Sequence, residues 1–455
     1  MTTLIAITGL GVLCLLFEIF NLRKGIIPVT IIGLLATLGL TISEYGTEMS
    51  FYNNMIVVNN FSVAFSSLFI LITTFIVAMS PNFYSNHPTK ISDFISIKLF
   101  ILAGAIAMIS FGNLAMYFLG IEILSIGLYV MCASERLSLR SNESGMKYFL
   151  MGAFASGFIL FGICLVYGAM GSFDVAEIAS LSRSAELPAW FFIGVMMITI
   201  GMLFKVAVVP FHFWAPDVYE GAPALTTATM STLAKVVAIA TLYKLLVVLN
   251  AEMSYAFEIV IVVLSIASMT VGNIMALRQN NVKRMLAFSG ISHAGFMLMT
   301  LLSLTNSAGT LLYYTAGYAF SGIAAFAVIL YVCRHNENED LVNFHGLGKT
   351  NPALAAVLTA SLLSMGGIPI FAGFFGKLFL FNQTIEAGYL ILVIVAVINS
   401  IISIGYYFKL ILAMYGKEPN ETRKGTPVLY YAVAIIAILL NIAMGLFPSL
   451  VMNLL

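Results

Sequence analysis

Fourteen segments of the sequence are long and apolar enough to cross a membrane, and their number constrains the fold more than any motif does. A helix needs roughly 17 to 25 apolar residues to span a bilayer. The segments lie near residues 3–20, 26–43, 61–80, 93–111, 113–133, 146–170, 188–210, 223–249, 254–277, 285–304, 307–333, 351–382, 387–415 and 427–454. Only 9% of the 455 residues are charged, against roughly 25% in soluble domains. We therefore predict an all-α polytopic membrane protein with about fourteen transmembrane helices.

The basic residues are distributed unevenly among the loops, which predicts an orientation. If the loop after the first helix is cytoplasmic, the odd-numbered loops hold fourteen basic residues and the even-numbered loops hold only Arg183. The fourteen are Arg23, Lys24, Lys90, Arg136, Arg140, Lys147, Arg278, Lys283, Arg284, Arg334, Lys349, Lys417, Arg423 and Lys424. Lys and Arg concentrate in cytoplasmic loops. With an even helix count, this bias places both termini on the periplasmic side of a bacterial inner membrane, and the first helix is expected to be a spanning anchor rather than a cleavable signal.

Charge and cysteine usage exclude several classes of partner and cofactor. The net charge of +1 and the lack of a polybasic run argue against nucleic acid as a partner. Cys14, Cys132, Cys164 and Cys333 are scattered singly, without CxxC spacing, which favours packed thiols over metal ligands or disulfides. No glycine-rich phosphate loop and no haem or iron–sulfur motif is visible. We expect this chain to carry no redox cofactor and no metal of its own.

Three lysines and one glutamate lie inside apolar segments. Lys205, Lys235 and Lys377 each interrupt a long hydrophobic stretch, and Glu122 is an acid at the middle of a helix. A charged side chain near the bilayer centre costs at least ~3 kcal/mol, so such residues face the interior of a helix bundle and usually belong to an ion or proton path. Static internal ion pairs are the alternative, but one carboxylate leaves at least two ammonium groups without an acidic partner. We therefore favour proton-exchanging lysines.

Further ionisable residues in the spans have two possible roles each. Lys98 and Lys409 fall near predicted cytoplasmic helix ends, where we expect them to extend towards the headgroups. Lys244 could belong to an outward path or could reach the interface in the same way. His293 could be part of a proton relay, because its ordinary pKa is near neutrality, or could be a hydrogen-bonded structural residue. His212 could shuttle protons or position the helix end beside it.

Two of the predicted helices are interrupted next to the buried lysines. Pro210 follows Lys205 by five residues, and the run Gly366-Gly367-Ile368-Pro369 precedes Lys377. Proline removes a backbone donor and clashes with the preceding turn, so the seventh and twelfth helices should break within the membrane. Unwound backbone at that depth is tolerated beside protein or a water-filled cavity. Interrupted helices at matching places in two halves indicate a transport site, although simple packing kinks would give the same sequence pattern.

Short sequence matches predict an internal repeat. The pattern beginning at Tyr148 and ending at Gly157 recurs from Tyr313 to Gly322, 165 residues later, and Pro210 has a counterpart in Pro369. The pair Gly112-Asn113 likewise has a counterpart in Gly272-Asn273. Five helices separate the copies, so the second copy would be inverted across the membrane. The predicted domains are 1–92 with helices 1–3, 93–250 with repeat helices 4–8, 251–416 with repeat helices 9–13, and 417–455 with helix 14.

Five segments together resemble a known family over nearly the whole chain. They are FLGIEILSIGLYVM around Glu122, FKVAVVPFHFWAPDVYEGAPA from Phe204 to Ala224, STLAKVVAIA around Lys235, NVKRMLAFSGISHAGFM from Asn281, and GGIPIFAGFFGKLFLF around Lys377. These resemble the antiporter-like membrane subunits of proton-pumping NADH:quinone oxidoreductase, respiratory complex I. Glu122 with Lys205, a lysine at position 377 and the chain length are most similar to its subunit N members.

The resemblance implies a proton channel in this chain. By this resemblance Glu122 and Lys205 form the input pair, Lys235 is the central relay, and Lys377 is the exit-side group. It also implies as partners the M, L, K, J, A and H types of membrane subunit and a hydrophilic arm, with FMN, iron–sulfur clusters, NADH and quinone bound elsewhere in the complex. If Glu122 lies within about 4 to 6 Å of Lys205, moving the carboxylate or its proton would change the proton affinity of the lysine.

Three other functions share some of these features. An Mrp-type cation/proton antiporter subunit would have the same fold and lysines but would work without NADH. A subunit of a membrane-bound hydrogenase or ferredoxin-linked complex would lack an NADH-oxidising arm. A purely structural membrane scaffold would not need lysines beside two helix breaks.

Overall fold

The computed structural model describes residues 1–85, 91–184, 187–249, 255–334, 336, 338–418 and 427–455. Lys90, Arg423 and Lys424 of the predicted basic loops lie outside the described residues, as does the side chain of Arg183. The first ten helices are α1 Thr2–Ile19, α2 Arg23–Ser43, α3 Asn60–Phe83, α4 Ile91–Ile109, α5 Leu114–Cys132, α6 Leu139–Met170, α7 Val175–Ser184, α8 Ala189–Val206, α9 Trp214–Gly221 and α10 Ala224–Thr229. The remaining ten are α11 Lys235–Leu249, α12 Tyr255–Leu277, α13 Val282–Leu298, α14 Ala308–Val332, α15 Leu347–Thr350, α16 Pro352–Gly366, α17 Ala372–Glu386, α18 Leu390–Gly416, α19 Val428–Leu446 and α20 Ser449–Met452.

The predicted membrane crossings are confirmed within the described residues. Thirteen helical segments are long and apolar enough to span a bilayer, counting Ala224–Leu249 and Val282–Leu302 as continuous spans. The predicted twelfth segment is divided between two shorter helices, α16 and α17. Together they count as one more crossing, which brings the total to fourteen. Below, crossings are numbered from one to fourteen in chain order. Crossing 7 is α8, crossing 8 is α10 to α11, and crossing 12 is α16 with α17.

Three crossings form the centre of the helix bundle. In the apolar stretches of crossings 8, 10 and 11, 89%, 94% and 100% of the residues are buried inside the protein. In α1 the share is 22%. A charged side chain in the middle of these three helices therefore has no direct route to lipid headgroups. Lys235 and Lys244 lie on crossing 8 and His293 lies on crossing 10, so three of the predicted site residues belong to this centre.

Both ends of the chain lie on one face of the bundle, as an even number of crossings requires. The Thr2 hydroxyl donates a hydrogen bond to Glu44, and the Tyr45 hydroxyl donates to the Leu454 carbonyl. A short antiparallel hairpin of β1 Met49–Phe51 and β2 Ile56–Val58 covers the same face. The hairpin is tied to the end of α4 because the Val57 N–H donates to the Ser110 carbonyl.

The starts of crossings 5 and 10 share the same local structure. Asn113 caps α5 by accepting from the Ala115 N–H, and Asn281 caps α13 by accepting from the Arg284 N–H, as asparagine does at helix starts. Each asparagine also forms an antiparallel bridge to an aspartate that follows the next helix, Asn113 to Asp174 and Asn281 to Asp340. We call these two contacts the Asn–Asp bridges.

The sequence match of Asn113 with Asn273 was wrong, because Asn273 lies inside α12 and Asn281 occupies the capping position. Gly272 instead corresponds to Gly104, since a Cβ at either position would lie 2.7 Å from a backbone N–H of the next crossing. Contacts repeated five crossings apart are those expected of an inverted repeat. The inverted repeat itself stays a prediction.

The two helix breaks occur beside the predicted residues. α8 ends at Val206, Ala207 has a φ of 64°, and α9 begins only at Trp214. α16 ends at Gly366, Gly367 has a φ of 87°, and α17 begins at Ala372. A residue with positive φ ends a helix by turning the chain away from its axis. In crossing 7 the helix ends before Pro210, so the break lies at the end of this crossing rather than within it.

The prediction that Lys98 extends to the headgroups was wrong. Its side chain is 1% exposed, and the ammonium donates to the Ser80 hydroxyl at 2.8 Å and to the Tyr84 hydroxyl at 3.5 Å. The reason is that α4 packs against α1, α3 and α5 and presents this position to α3. Lys409, in contrast, reaches the loop after α12, where it donates to the Gln279 carbonyl at 2.8 Å.

Candidate functional site

Lys205 lies among hydroxyl groups in the last turn of α8. Its ammonium donates to the hydroxyl groups of Ser125 at 2.9 Å, Tyr129 at 3.2 Å and Ser156 at 3.4 Å. It also lies over the Tyr129 ring, 5.7 Å from the centroid. Hydroxyl groups both donate and accept hydrogen bonds, so this environment can hold a lysine in either protonation state.

Glu122 and Lys205 form no ion pair within 4 Å, although the Glu122 carboxylate lies near enough to stabilise the ammonium through its charge, so the input pair stays a prediction. No ion pair within 4 Å joins Glu122 to any residue in the described part of the chain, and its buried Oε1 has no hydrogen-bond partner there. The physical reason is the spacing along α5. Ser125 and Tyr129 follow Glu122 by three and seven residues, on the same helix face, so they occupy the positions nearest to the ammonium.

Lys235 lies at the centre of the bundle, directly after an irregular turn. Residues Met230–Ala234 form a π-helix, which is rare and frequently found at functional sites. Lys235 is 2% exposed and has no hydrogen-bond or ion-pair partner among the described residues. Its ammonium faces the bare backbone of Gly290, since a Cβ at that glycine would lie 2.8 Å from Nζ and 3.2 Å from the Tyr318 hydroxyl.

His293 connects to two tyrosines through its two ring nitrogens. Nδ1 lies 2.7 Å from the Tyr314 hydroxyl and Nε2 lies 3.3 Å from the Tyr407 hydroxyl, which in turn lies 2.5 Å from the Ser289 hydroxyl. The imidazole also packs against the Tyr318 ring with centroids 4.8 Å apart. We call His293, Tyr314, Tyr318, Tyr407 and Ser289 the tyrosine–histidine cluster; all five are buried.

Lys377 lies beyond the break of crossing 12, on α17. Its ammonium donates to the Gly366 carbonyl at 3.0 Å and to the Ser400 hydroxyl at 2.7 Å. It also lies over the Phe296 ring, 4.9 Å from the centroid, and that ring packs near His293. The break exposes the Gly366 carbonyl by ending α16, and this carbonyl holds the lysine where a continuous helix could not.

Lys244 has a different environment. It is 6% exposed, so it does not extend to the membrane surface. Its ammonium donates to the carbonyl groups of Ile109 at 2.6 Å and Phe111 at 2.9 Å, at the end of α4. A cation at the carbonyl end of a helix satisfies unpaired acceptors and interacts favourably with the helix dipole. These contacts fit a structural role.

An ionic cluster joins α9 to its neighbours. The Arg284 guanidinium donates to Asp217 at 2.7 Å and to Glu220 at 2.9 Å, and the Lys147 ammonium lies 3.1 Å from Asp217. Burial raises the pKa of Asp217, but the hydrogen bonds from Arg284 and Lys147 outweigh that effect, so its pKa lies below the ordinary value. These contacts tie α9 to the ends of α6 and α13.

The structure thus brings some of the predicted residues together and leaves others apart. Lys235 and Lys377 lie on either side of the tyrosine–histidine cluster. No hydrogen-bonded chain of described side chains joins Lys205 to Lys235. Sequence reasoning missed the π-turn, Ser125, Ser400 and Tyr407. Tyr314 and Ser156 did carry a signal, because both belong to the repeated pattern.

Comparisons with known proteins agree on one family. The family described as NADH:quinone oxidoreductase/Mrp antiporter, transmembrane, matches residues 112–403. NADH-quinone oxidoreductase subunit N of Flavobacterium johnsoniae is 73% identical, with both chains covered completely. A chain of respiratory complex I from Thermus thermophilus is 29% identical with a TM-score of 0.87, covering 99% of this chain and 98% of that one. A chain of the Mrp complex from Dietzia is 21% identical with a TM-score of 0.84, covering 100% of this chain and 96% of that one, which shows a shared fold.

Proposed function

This chain belongs to the family of transmembrane subunits of NADH:quinone oxidoreductase and Mrp antiporters, among the subunit N members, and we propose that it carries protons across the membrane through its buried lysines. The observation that carries this proposal is the tyrosine–histidine cluster between Lys235 and Lys377. Both ring nitrogens of His293 face tyrosine hydroxyl groups. Such a chain of groups that donate and accept can transfer a proton without moving the backbone.

Lys235 is the group best suited to exchange a proton in the centre of the protein. An ammonium without a carboxylate partner is costly in a dry interior, and Lys235 has no such partner among the described residues. Its neutral form is therefore accessible, and the protonated form can donate towards Tyr318 or His293. The helix position supports this role, since Lys235 lies about 16 Å from the start of crossing 8 at Ala224, near the bilayer centre.

The order of the path follows from the lysine positions and the predicted orientation. Crossing 7 would run inwards, and Lys205 lies about 24 Å from its start at Ala189, near the cytoplasm. Crossing 12 would run outwards, and Lys377 lies after its break, nearer the periplasm. We place Lys205 on the input side, Lys235 at the centre and Lys377 on the exit side. Glu122 would act on Lys205 through its charge rather than through an ion pair within 4 Å.

The driving force would come from other subunits. The relatives are named as subunits of an NADH-quinone oxidoreductase, and we propose that NADH oxidation and quinone reduction occur elsewhere in the same complex. The M, L, K, J, A and H types of membrane subunit and a hydrophilic arm with FMN and iron–sulfur clusters would be the partners. This chain would supply the translocation step and hold no redox cofactor.

Lys235→Met tests the proposal in membrane vesicles that contain the assembled complex. The measurements are NADH oxidation, quinone reduction and NADH-driven proton uptake by a pH-sensitive dye. Loss of an acid–base group slows proton transfer by about 10²-fold or more, so proton uptake should fall by that factor. Lys409→Met is the matched control, because that lysine reaches the loop after α12 and should leave uptake unchanged. Normal uptake per NADH in Lys235→Met would refute the relay.

Purification of the tagged chain tests the coupling partner separately. If flavin, iron–sulfur absorbance and NADH:quinone reductase activity copurify, the oxidoreductase assignment of the complex holds. If only antiporter-like membrane partners copurify, the same lysines would serve a cation/proton antiporter of the Mrp type.

A further inference from the structure

We propose that Asn441, in the last crossing α19, is a positioning residue that holds the break of crossing 12 and thereby fixes the place of Lys377. α19 lies outside both predicted repeats, and none of its residues was predicted to belong to the site. The inference rests on the proposed function in so far as Lys377 carries protons. The positioning of Lys377 by Asn441 is measured separately from proton transport, by hydrogen–deuterium exchange.

Asn441 is completely buried and uses its whole amide on three other helices. Nδ2 donates to the Gly317 carbonyl at 2.9 Å and to the Ser321 hydroxyl at 2.9 Å, both on α14. Oδ1 accepts from the Ser364 hydroxyl at 3.0 Å, on α16, and from the Ala372 N–H at 3.3 Å, the first residue of α17. A carboxamide has two donors and one acceptor oxygen with two lone pairs, so every site is used.

The contacts of Asn441 are those that the break requires. A helix start leaves its first N–H groups without intrahelical partners, and unpaired backbone groups at membrane depth cost several kcal/mol. Asn441 accepts from the first of these groups in α17. Ser364 accepts from the next, the Gly373 N–H, at 3.3 Å. Asn441 and Ser364 together therefore join the last turn of α16 to the first turn of α17.

The surrounding packing brings α19 close enough for this contact. A Cβ at Gly445 would lie 2.1 Å from the Ile370 carbonyl, inside the broken segment, so only glycine permits the approach. Tyr313 on α14 donates its hydroxyl to the Met444 carbonyl at 2.9 Å. Asn441, Met444 and Gly445 are spaced by three and four residues, so one face of α19 makes all these contacts.

The position of Lys377 depends on this junction. Lys377 follows Gly373 by one helical turn, and its ammonium returns to the Gly366 carbonyl on the other side of the break. Moving the start of α17 relative to α16 would lengthen that hydrogen bond and change the distance to Ser400. The break of crossing 7 is held differently: the Val209 N–H donates to the Ser268 hydroxyl at 3.0 Å, and the Trp214 indole N–H donates to the Phe204 carbonyl at 3.1 Å. The exit-side lysine is therefore the one whose place depends on the last crossing.

The test compares Asn441→Leu, Ser364→Ala and Ser361→Ala in the assembled complex. Ser361 is the matched control, because it is a buried serine on the same helix whose hydroxyl donates only to the Val357 carbonyl of its own helix. Ser364→Ala is the mild variant in case Asn441→Leu does not assemble. Hydrogen–deuterium exchange of peptides covering residues 367–376 measures how firmly the junction of α16 and α17 is held. Proton uptake per NADH measures transport through the proposed relay.

We expect exchange in this segment to rise by about tenfold in Asn441→Leu and Ser364→Ala and to stay unchanged in Ser361→Ala. Proton uptake per NADH should fall in the first two variants while NADH oxidation in the presence of an uncoupler is retained. Unchanged exchange in both junction variants would overturn the positioning role. If exchange rises but neither these variants nor Lys377→Met lowers proton uptake, the junction stands and the proposed relay through Lys377 fails.

Discussion

Gly290→Ala would move the central lysine without removing any titratable group. The new Cβ would lie 2.8 Å from Lys235 Nζ and 3.2 Å from the Tyr318 hydroxyl, whereas ordinary contacts begin at 3.4 Å. The ammonium must therefore retreat by about 0.6 Å, because it is the end of a flexible side chain and the helix backbone is fixed. A misplacement of about 1 Å can cost about 10²-fold in a reaction that depends on geometry, so we expect proton uptake to fall about tenfold.

Two opposing effects act on stability. Alanine is favoured over glycine in a helix interior by roughly 0.5–1 kcal/mol, whereas the crowding at Lys235 and Tyr318 opposes this gain, so the amount of assembled complex is measured together with proton uptake. Gly157→Ala is the matched control, since Gly157 lies in the interior of α6 and no heavy atom is within 4 Å of its added Cβ. Both variants are compared for proton uptake per NADH and for the amount of assembled complex. Wild-type uptake in Gly290→Ala would show that the Lys235 position does not limit transfer.

Two other perturbations separate structural from transport roles. Lys244→Met leaves the carbonyl groups of Ile109 and Phe111 without their donor. This should lower the free energy of unfolding by about 2–3 kcal/mol and lower the thermal unfolding temperature. Proton uptake per NADH in the surviving complex should stay normal, and its loss would favour an outward path through Lys244. Asp217→Asn should lower the unfolding temperature near neutral pH. Because the pKa of Asp217 is depressed, its stabilisation is present above the ordinary carboxyl pKa and is lost as pH falls through the lower folded value, so the difference from wild type should shrink on acidification. A constant difference over that range would contradict a role for the ionised carboxylate.

The sequence predicted those features that depend on local composition. Span positions follow from apolar length, and the break of crossing 12 follows from the Gly366–Pro369 run, since glycine and proline act on the backbone where they stand. The helix of crossing 7 ends at Val206, before Pro210, so its break was predicted only approximately. The role of Lys98 could not be predicted, because its burial depends on how α4 is packed among other helices. The hydroxyl groups of Ser125 and Tyr129 around Lys205 were missed for a similar reason, because their contacts depend on which side chains of α5 face α8.

The contribution of the last crossing was also beyond sequence reasoning. Asn441 lies about 70 residues after the segment that it holds, and one asparagine in an apolar helix carries no sign of its partner. The π-turn before Lys235 was missed because its residues, Met230–Ala234, include neither glycine nor proline and would equally suit an ordinary helix.

The placement of Asn441 sets an order for the making of the protein. The first Asn–Asp bridge has all its residues once Asp174 has been synthesised, and the second once Asp340 has been. The junction of α16 and α17 must wait for Asn441 on α19, which is synthesised about 70 residues later. A chain that stops short of α19 would therefore keep its central lysine and both bridges but would leave the exit-side half-helix without its anchor. The outward end of the proposed path thus takes its shape only after α19 has been made.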